Sequence, residues 1–403
     1  MFAGHASVGP GVFRGKNGLF FLDASVFLSS LGLGLTAYFI PTYVQSIGGS
    51  FFDVGLAGSA RSVLYAFLPF FFGYISDRGI RRQLYIFGIV VNLLSTAFLV
   101  WATTVPLLIA TQLLASVGYS LLWPITEAMV AESVEPERRV SAMGWYSVSW
   151  AMGYFLGPIF GGYVEGLHGY VVLFEVASAV LLFTIVFTVA TLRRSYRAIS
   201  VQGKAGLVLP SRKLSPAYAA VLAYGIAFGI IISIFPAYLK TNGFSVGIIG
   251  ILFSLFALIR VGAFFADDRI ARALPNGALP MSAILMFAGC SVVGIFSLTS
   301  LPAMVALLLI SGFGFGVFYP VILVVVSNEV KQEGLGAAVG ALEAFYGIGV
   351  VVGPAVGGYL SSVSLSAPYL LCCVVALTIP AFVAAQHWAL TRGKAAAESR
   401  PTA

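Results

Sequence analysis

Charge is what this chain has least of. Asp, Glu, Lys and Arg make up only 9% of its residues, against 59% apolar residues and a mean hydropathy of +0.98. A soluble protein of 403 residues needs far more charge to cover its surface, so a soluble globular domain is excluded. Cysteine is scarce as well. Cys290, Cys372 and Cys373 lie within apolar runs, with the adjacent pair on different helix faces. That pattern offers neither a disulfide framework nor metal-site spacing, and the thiols are expected to pack as small apolar residues. The histidines His5, His168 and His387 are scattered, so neither a metal cluster nor a catalytic triad has support. A Gly-x4-Gly-Lys-Ser/Thr loop is missing, which argues against ATP-driven work. Gly312-x-Gly314-x-Gly316 sits in an apolar run with no preceding strand and no acidic ribose partner, so it is no dinucleotide fingerprint. No cofactor is implied, and an enzyme is the reading with least behind it.

What the chain does have is a series of apolar runs, each near the roughly 20 residues that span a bilayer. Twelve are read, at about 18–46, 51–75, 83–103, 105–131, 140–163 and 170–192, then 215–239, 245–266, 277–299, 301–327, 334–361 and 367–390. Breaks fall at charge clusters or at turn residues such as Gly48-Gly49-Ser50 and Asn242-Gly243. The first run, about 29 residues long, exceeds a signal-peptide core and is taken as an uncleaved helix. Of the 22 basic residues, Arg61 and Arg260 lie inside spans and Lys240 lies on an outer loop; the other 19 fall on one side. That asymmetry puts both termini in the cytoplasm of a multi-pass cell-membrane protein. It also accounts for the net charge of +7 without a nucleic-acid partner.

The pattern Gly-x8-Gly-x3-Gly-Pro-x2-Gly-Gly occurs twice in register. The first copy is Gly144, Gly153, Gly157, Pro158, Gly161 and Gly162; the second, 196 residues later, is Gly340, Gly349, Gly353, Pro354, Gly357 and Gly358. Pro124/Pro320 and Tyr163/Tyr359 extend the match, and Pro41/Tyr43 pair with Pro236/Tyr238 at an offset of 195. An in-register repeat in apolar sequence marks a duplicated helical bundle, the usual build of a secondary transporter. The expected fold is an all-α membrane protein of twelve transmembrane helices in two pseudo-symmetric six-helix bundles. Residues 1–192 and 214–403 form the bundles, and the polar stretch 193–213 is a cytoplasmic linker.

The loop after the second span, Gly73-Tyr74-Ile75-Ser76-Asp77-Arg78-Gly79-Ile80-Arg81-Arg82, resembles the signature Gly-x3-Asp-Arg-x-x-Arg-Arg of the major facilitator superfamily. With the six-plus-six organisation, the resemblance covers nearly the whole chain. The span-5 glycine pattern is similar to that of the drug:proton antiporter branch, although its second copy in span 11 shows that packing alone can call for it. One departure stands out. The family's span-4 signature begins with Arg, followed four and six residues later by glycines; here those places hold Gln112, Ser116 and Gly118. Any part that Arg plays in proton exchange is absent or relocated. The resemblance implies rocking alternating access around a central site, in a monomer whose partners are the lipid bilayer, protons and a small-molecule substrate.

Candidate residues follow. Within the resembled fold, Asp77 would meet the start of span 11 and Asp268 the start of span 5. Gly73, Arg78, Arg81, Arg82 and Arg269 complete this gating loop and its copy; a solvated loop charge is the plainer explanation for Asp77. Ionisable groups inside spans are costly, at least about 2.5 kcal/mol each, and so point to function. Glu343, Arg61, Glu127 and Asp23 are the proton-coupling or substrate candidates, with Arg61 and Glu343 as a switchable or merely structural ion pair. Arg260 is expected to snorkel to the cytoplasmic interface. Tyr38, Trp123, Tyr146, Trp150 and Tyr319 are expected in a plastic apolar wall, with packing as the alternative. The glycine stripes allow close helix approach, either as tight packing alone or as the seam along which the bundles close on the outer side. Three functions are carried: proton-coupled export of small amphipathic or hydrophobic compounds, proton-coupled transport of an organic anion with Arg61 as counter-ion, and a membrane sensor or scaffold that transports nothing.

Overall fold

The computed structural model describes residues 18–76, 80–135, 138–195, 214–274, 278–329 and 332–398. Among these, fourteen α-helices group into twelve rods. The first six rods are α1 (Gly18–Ala37) with α2 (Ile40–Ser46), α3 (Phe51–Val63) with α4 (Leu68–Ser76), α5 (Arg81–Phe98), α6 (Val105–Glu132), and the two halves of α7 (Arg139–Ser195). The last six are α8 (Ser215–Ser233) with α9 (Phe235–Thr241), α10 (Val246–Ala273), α11 (Ala278–Gly294), α12 (Leu301–Glu329), α13 (Gln332–Val363) and α14 (Ala367–Glu398). Eight helical stretches are long and apolar enough to cross a membrane, one of them the doubled stretch Ser141–Leu192; Ala278–Gly294 and Ala367–Phe382 are shorter. The rods are numbered below as spans 1 to 12. Large apolar side chains such as Phe20, Phe183, Phe265 and Ile284 point outward, as lipid contact requires.

Prolines divide three of the rods. Pro41 has no N–H to give the carbonyl four residues back, and span 1 breaks between α1 and α2. Pro236, its partner in the repeat, opens α9 in the same way. Span 2, read from sequence as one run, is in fact split over residues 64–67 just before Pro69. The freed N–H groups of Leu64 and Tyr65 both donate to Ser116 Oγ in span 4, each at 3.0 Å. The loop expected between spans 5 and 6 shrinks to Gly169, where φ 81° and ψ 177° form a break that glycine alone adopts readily. Helices α7 and α13 continue through Pro158 and Pro354.

Packing follows the repeat. Span 1 lies along α7 as span 7 (α8) lies along span 11 (α13). Between the two sets of six, span 2 meets span 11 and span 8 meets span 5, reciprocal contacts of a pseudo-two-fold arrangement. The glycine motif serves both kinds of contact. A side chain at Gly153, Gly157 or Gly161 would collide with span 1, at Ser30, Gly34 and Leu35; one at Gly349 or Gly353 would collide with span 7, at Gly225 and Ile226. The second glycine of each Gly-Gly pair faces the other way, Gly162 onto Val246 and Gly247 and Gly358 onto Phe51 and Gly55. The motif thus packs each bundle internally through its stripe and touches the other bundle through the second glycine of its Gly-Gly pair.

Candidate functional site

The twelve rods have a face carrying Gly18 and Glu398, the first and last described residues, and an opposite, far face. At the far face the halves are sealed. Gln45 Nε2 donates to Thr241 Oγ1 at 2.9 Å, Lys240 Nζ donates to the Thr42 carbonyl at 2.8 Å and to Tyr170 OH at 3.1 Å, and Ser59 Oγ donates to the Val351 carbonyl at 2.6 Å. Tyr38 of span 1 stacks on Phe253 of span 8, with centroids 4.3 Å apart, as the floor below. Toward the face with Gly18 and Glu398 there is open space at both spans of one seam: a side chain at Gly144 of span 5 or Gly262 of span 8 would meet nothing within 4 Å. The resulting cavity of about 670 Å³ is lined by spans 1, 2, 4, 5, 7, 8, 10 and 11. Its size suits a drug-sized molecule.

Each of the five aromatics singled out in the sequence, Tyr38, Trp123, Tyr146, Trp150 and Tyr319, lines this cavity. Trp123 and Trp150 meet edge to face at 6.3 Å, and Tyr154 joins both. Across the cavity, Tyr319 packs on Tyr346 at 5.6 Å. Tyr65, Tyr119, Tyr154, Tyr224 and Tyr346 line it too and had not been named. A helical signal was there for four of them. Tyr119 and Tyr154 lie one turn from Trp123 and Trp150, Tyr65 one turn after Arg61, and Tyr346 one turn after Glu343.

Of the four charged candidates, Arg61, Glu127 and Glu343 line the cavity and Asp23 does not. Asp23 lies on α1 with Oδ1 buried and without a hydrogen-bond partner. Arg61 and Glu343 do not pair in this conformation. Arg61 Nη2 donates to Tyr119 OH, Nη1 donates to the Ala37 carbonyl at 3.3 Å, and the guanidinium lies 4.8 Å from the Tyr119 ring centre. The Ala37 carbonyl is the one that Pro41 leaves without a helical donor, so Arg61 completes the break in span 1. Glu343 instead accepts a hydrogen bond from Tyr319 OH. Glu127 and Glu343 are both exposed to the cavity.

Arg260 needs correction. It does not snorkel away; it lines the cavity, its guanidinium 4.4 Å from the Phe228 ring centre and 5.8 Å from that of Phe256. Span 8 is apolar around its circumference where Arg260 sits, so no polar face told the sequence which way the side chain turns. In span 4, Gln112 lines the cavity beside Arg61, and Ser116 is committed to the backbone of span 2. A cation does reach this region, but from span 2.

The loop residues are partly beyond the described set. Asp77 and Arg78 lie outside the described residues, as do the surroundings of Gly73 and the side chain of Asp268. Arg81 forms an ion pair with Glu132 at the end of span 4, with its Nε 3.5 Å from Ser76 Oγ, and Arg82 Nη2 reaches the Val189 carbonyl at 3.4 Å. These two arginines tie the ends of spans 2, 3, 4 and 6 together. Arg269 is exposed on span 8. The three cysteines are buried and free.

Twelve apolar rods in two reciprocally packed sets around a central cavity define a membrane transporter. The sequence matches the family described as Major Facilitator Superfamily over residues 22–299 and 217–403, and the chain belongs to that family. It is 24% identical over 371 residues to Multidrug resistance protein 2 of Bacillus subtilis (strain 168), covering 87% of this chain and 90% of that protein. It is 22% identical over 376 residues to Quinolone resistance protein NorA of Staphylococcus aureus (strain MRSA252), covering 89% and 94%. Among solved structures it is similar to the nucleoside transporter NupG (TM-score 0.75, 13% identity, 93% of this chain and 99% of that one). It is also similar to an inward-facing, occupied bacterial homologue of the human lysosomal transporter Spinster (TM-score 0.76, 17% identity, 93% and 98%). At such identities the two structures speak to fold alone.

Proposed function

We propose that the protein is a proton-coupled exporter of small amphipathic or hydrophobic compounds, working as a monomer in the cell membrane. The observation that carries this reading is the pair of carboxylates, Glu127 and Glu343, on opposite halves of an aromatic-walled cavity between two bundles. The multidrug resistance names of its relatives point the same way. Residues 1–192 and 214–403 would rock about the cavity, joined by the linker 193–213, with the basic residues holding both termini in the cytoplasm. In the conformation described, the cavity then opens to the cytoplasm. A compound enters and engages the ionised acids; after the cavity turns outward, protons displace it; the neutral acids then favour return. Such coupling requires only that substrate and proton bind the two facing states differently.

Vesicle reconstitution with an internal pH-sensitive dye tests this. Lipophilic cations are expected to drive proton movement in the unmodified protein, and Glu343→Gln is expected to cut it at least tenfold. Proton movement unchanged in Glu343→Gln and in Glu127→Gln alike would remove the coupling role. A second reading, transport of an organic anion, draws on Arg61 and Arg260 in the same cavity; a response to simple carboxylates that vanishes in Arg61→Ala would favour it. Silence toward every compound would leave a sensor or scaffold.

A further inference from the structure

The four charges of the cavity are sorted by depth. Measured along each helix from its far-face end, Arg61 lies ten residues from Phe51 and Arg260 fourteen from Val246. Glu343 lies twenty residues from Val363 and Glu127 twenty-two from Val105. The basic tier is therefore deeper than the acidic tier by about 9 to 18 Å at a rise of 1.5 Å per residue. Between them comes an aromatic tier: Tyr346 is seventeen residues from Val363, and Trp123 and Tyr319 are each eighteen from Val105 and Leu301.

The deep cations are not neutralised by protein. Among the described residues, neither Arg61 nor Arg260 has a carboxylate within ion-pair distance, and Arg260 Nε is buried without a hydrogen-bond partner. Both guanidiniums rest on aromatic rings, with Arg61 also donating to Tyr119 OH and the Ala37 carbonyl and Arg260 to Tyr224 OH, so each of these partners is uncharged and leaves the positive charge unbalanced. A ligand with only a positive charge would set its body against two cations at the floor. One with only a negative charge would meet two carboxylates near the mouth. A dipolar ligand satisfies both tiers and leaves no buried charge unpaired.

We propose that this cavity is built for zwitterionic aromatic compounds, bound with an acidic group at the floor between Arg61 and Arg260 and a planar body across Trp123, Tyr319 and Tyr346. An amine then points toward the mouth, at Glu127 and Glu343. This rests on the reading of the cavity as the transport site and names the substrate class that reading leaves open. It also assigns Arg260 a specificity role, as a direct contact to the acidic group.

The test is equilibrium binding to the purified full-length protein in detergent, read by quenching of tryptophan fluorescence, since Trp123 and Trp150 line the cavity. Three naphthalene derivatives serve as probes: one with an amine and a carboxylate at opposite ends, one with the amine alone, and one with the carboxylate alone. The dipolar compound is expected to bind at least tenfold more tightly than either relative. Arg260→Gln should bring its affinity down to that of the amine alone, and Glu127→Gln with Glu343→Gln down to that of the carboxylate alone. Arg260→Lys, which keeps the charge, should retain part of the preference and covers the case in which the glutamine variant does not fold. Equal affinity for the dipolar and amine compounds overturns the proposal, as does a preference untouched in a folded arginine variant. No gradient is involved. Loss of proton movement in vesicles with the preference intact removes the coupling alone; proton movement without the preference removes this inference alone.

Discussion

Ser116 shows how a single side chain stabilises a broken helix. Its hydroxyl oxygen accepts from the N–H groups of both Leu64 and Tyr65 at 3.0 Å, at the point where span 2 loses its ladder before Pro69. A buried backbone donor left without a partner costs about 1–3 kcal/mol. Measured side-chain hydrogen bonds between membrane helices average nearer 0.6 kcal/mol. Ser116→Ala removes one acceptor and strands two donors, so a loss of about 1–2 kcal/mol is expected. It would appear as a lowered thermal unfolding midpoint in detergent, with Ser116→Thr recovering most of it. An unchanged midpoint in the alanine variant would mean that the break in span 2 needs no partner from span 4. The same break lies a turn beyond Arg61, so this hydroxyl also helps to set where the deep guanidinium sits.

The apolar runs were legible because a bilayer demands some 20 consecutive apolar residues, a constraint that no soluble core imposes. Their internal breaks were less so. Pro41 and Pro236 lie at matched places in the repeat and divide spans 1 and 7, whereas the break before Pro69 passes unnoticed in hydropathy because apolar residues continue through it. The loop between spans 5 and 6 was overdrawn because Glu165 and His168 are polar, although the helix continues past both to Gly169. Among cavity residues, five of the aromatics and three of the four charges were legible from chemistry and span assignment, whereas Tyr65, Tyr119, Tyr154, Tyr224 and Tyr346 were passed over. Arg260 was not legible, because direction around a uniformly apolar helix leaves no periodic trace. The glycine stripe was plain to see, yet which glycine faces which neighbour emerged only from packing. That distinction can be tested. A Cβ at Gly157 would run into the backbone of Gly34, whereas one at Gly144 would meet nothing within 4 Å. Gly157→Ala is therefore expected to destabilise by about 1–3 kcal/mol, as overpacking does. Gly144→Ala should be neutral or raise stability by up to about 1 kcal/mol through helix propensity. Thermal unfolding of the two variants side by side decides it; equal losses would mean that the stripe is not a packing face.

A chain that repeats one bundle twice can form reciprocal contacts, span 2 on span 11 and span 8 on span 5, and both seams are closed at the far face. Closure there rests on small contacts: backbone against glycine, the Tyr38–Phe253 stack, and a few polar bridges such as Gln45 to Thr241 at 2.9 Å. None is an ion pair deep in the membrane, so separating the halves at that face exposes little that water cannot satisfy. Under the proposed rocking, this is the seam that opens. Joining its sides covalently should therefore stop transport without emptying the site. Gln45 and Thr241 suit this purpose because their hydrogen bond is exposed and its loss costs little. The native Cys290, Cys372 and Cys373 are buried, which leaves an introduced pair as the accessible thiols. In a Gln45→Cys, Thr241→Cys protein bridged by a short bis-methanethiosulfonate reagent, substrate-driven proton movement in vesicles should fall to background. Ligand binding in detergent should persist at ordinary affinity, because the cavity remains open at the other face. Reductant should restore transport, and each single cysteine variant treated alike should transport normally. A bridged protein that still transports at its unbridged rate would mean that substrate crosses without the far seam opening, and the rocking of two bundles would have to be given up.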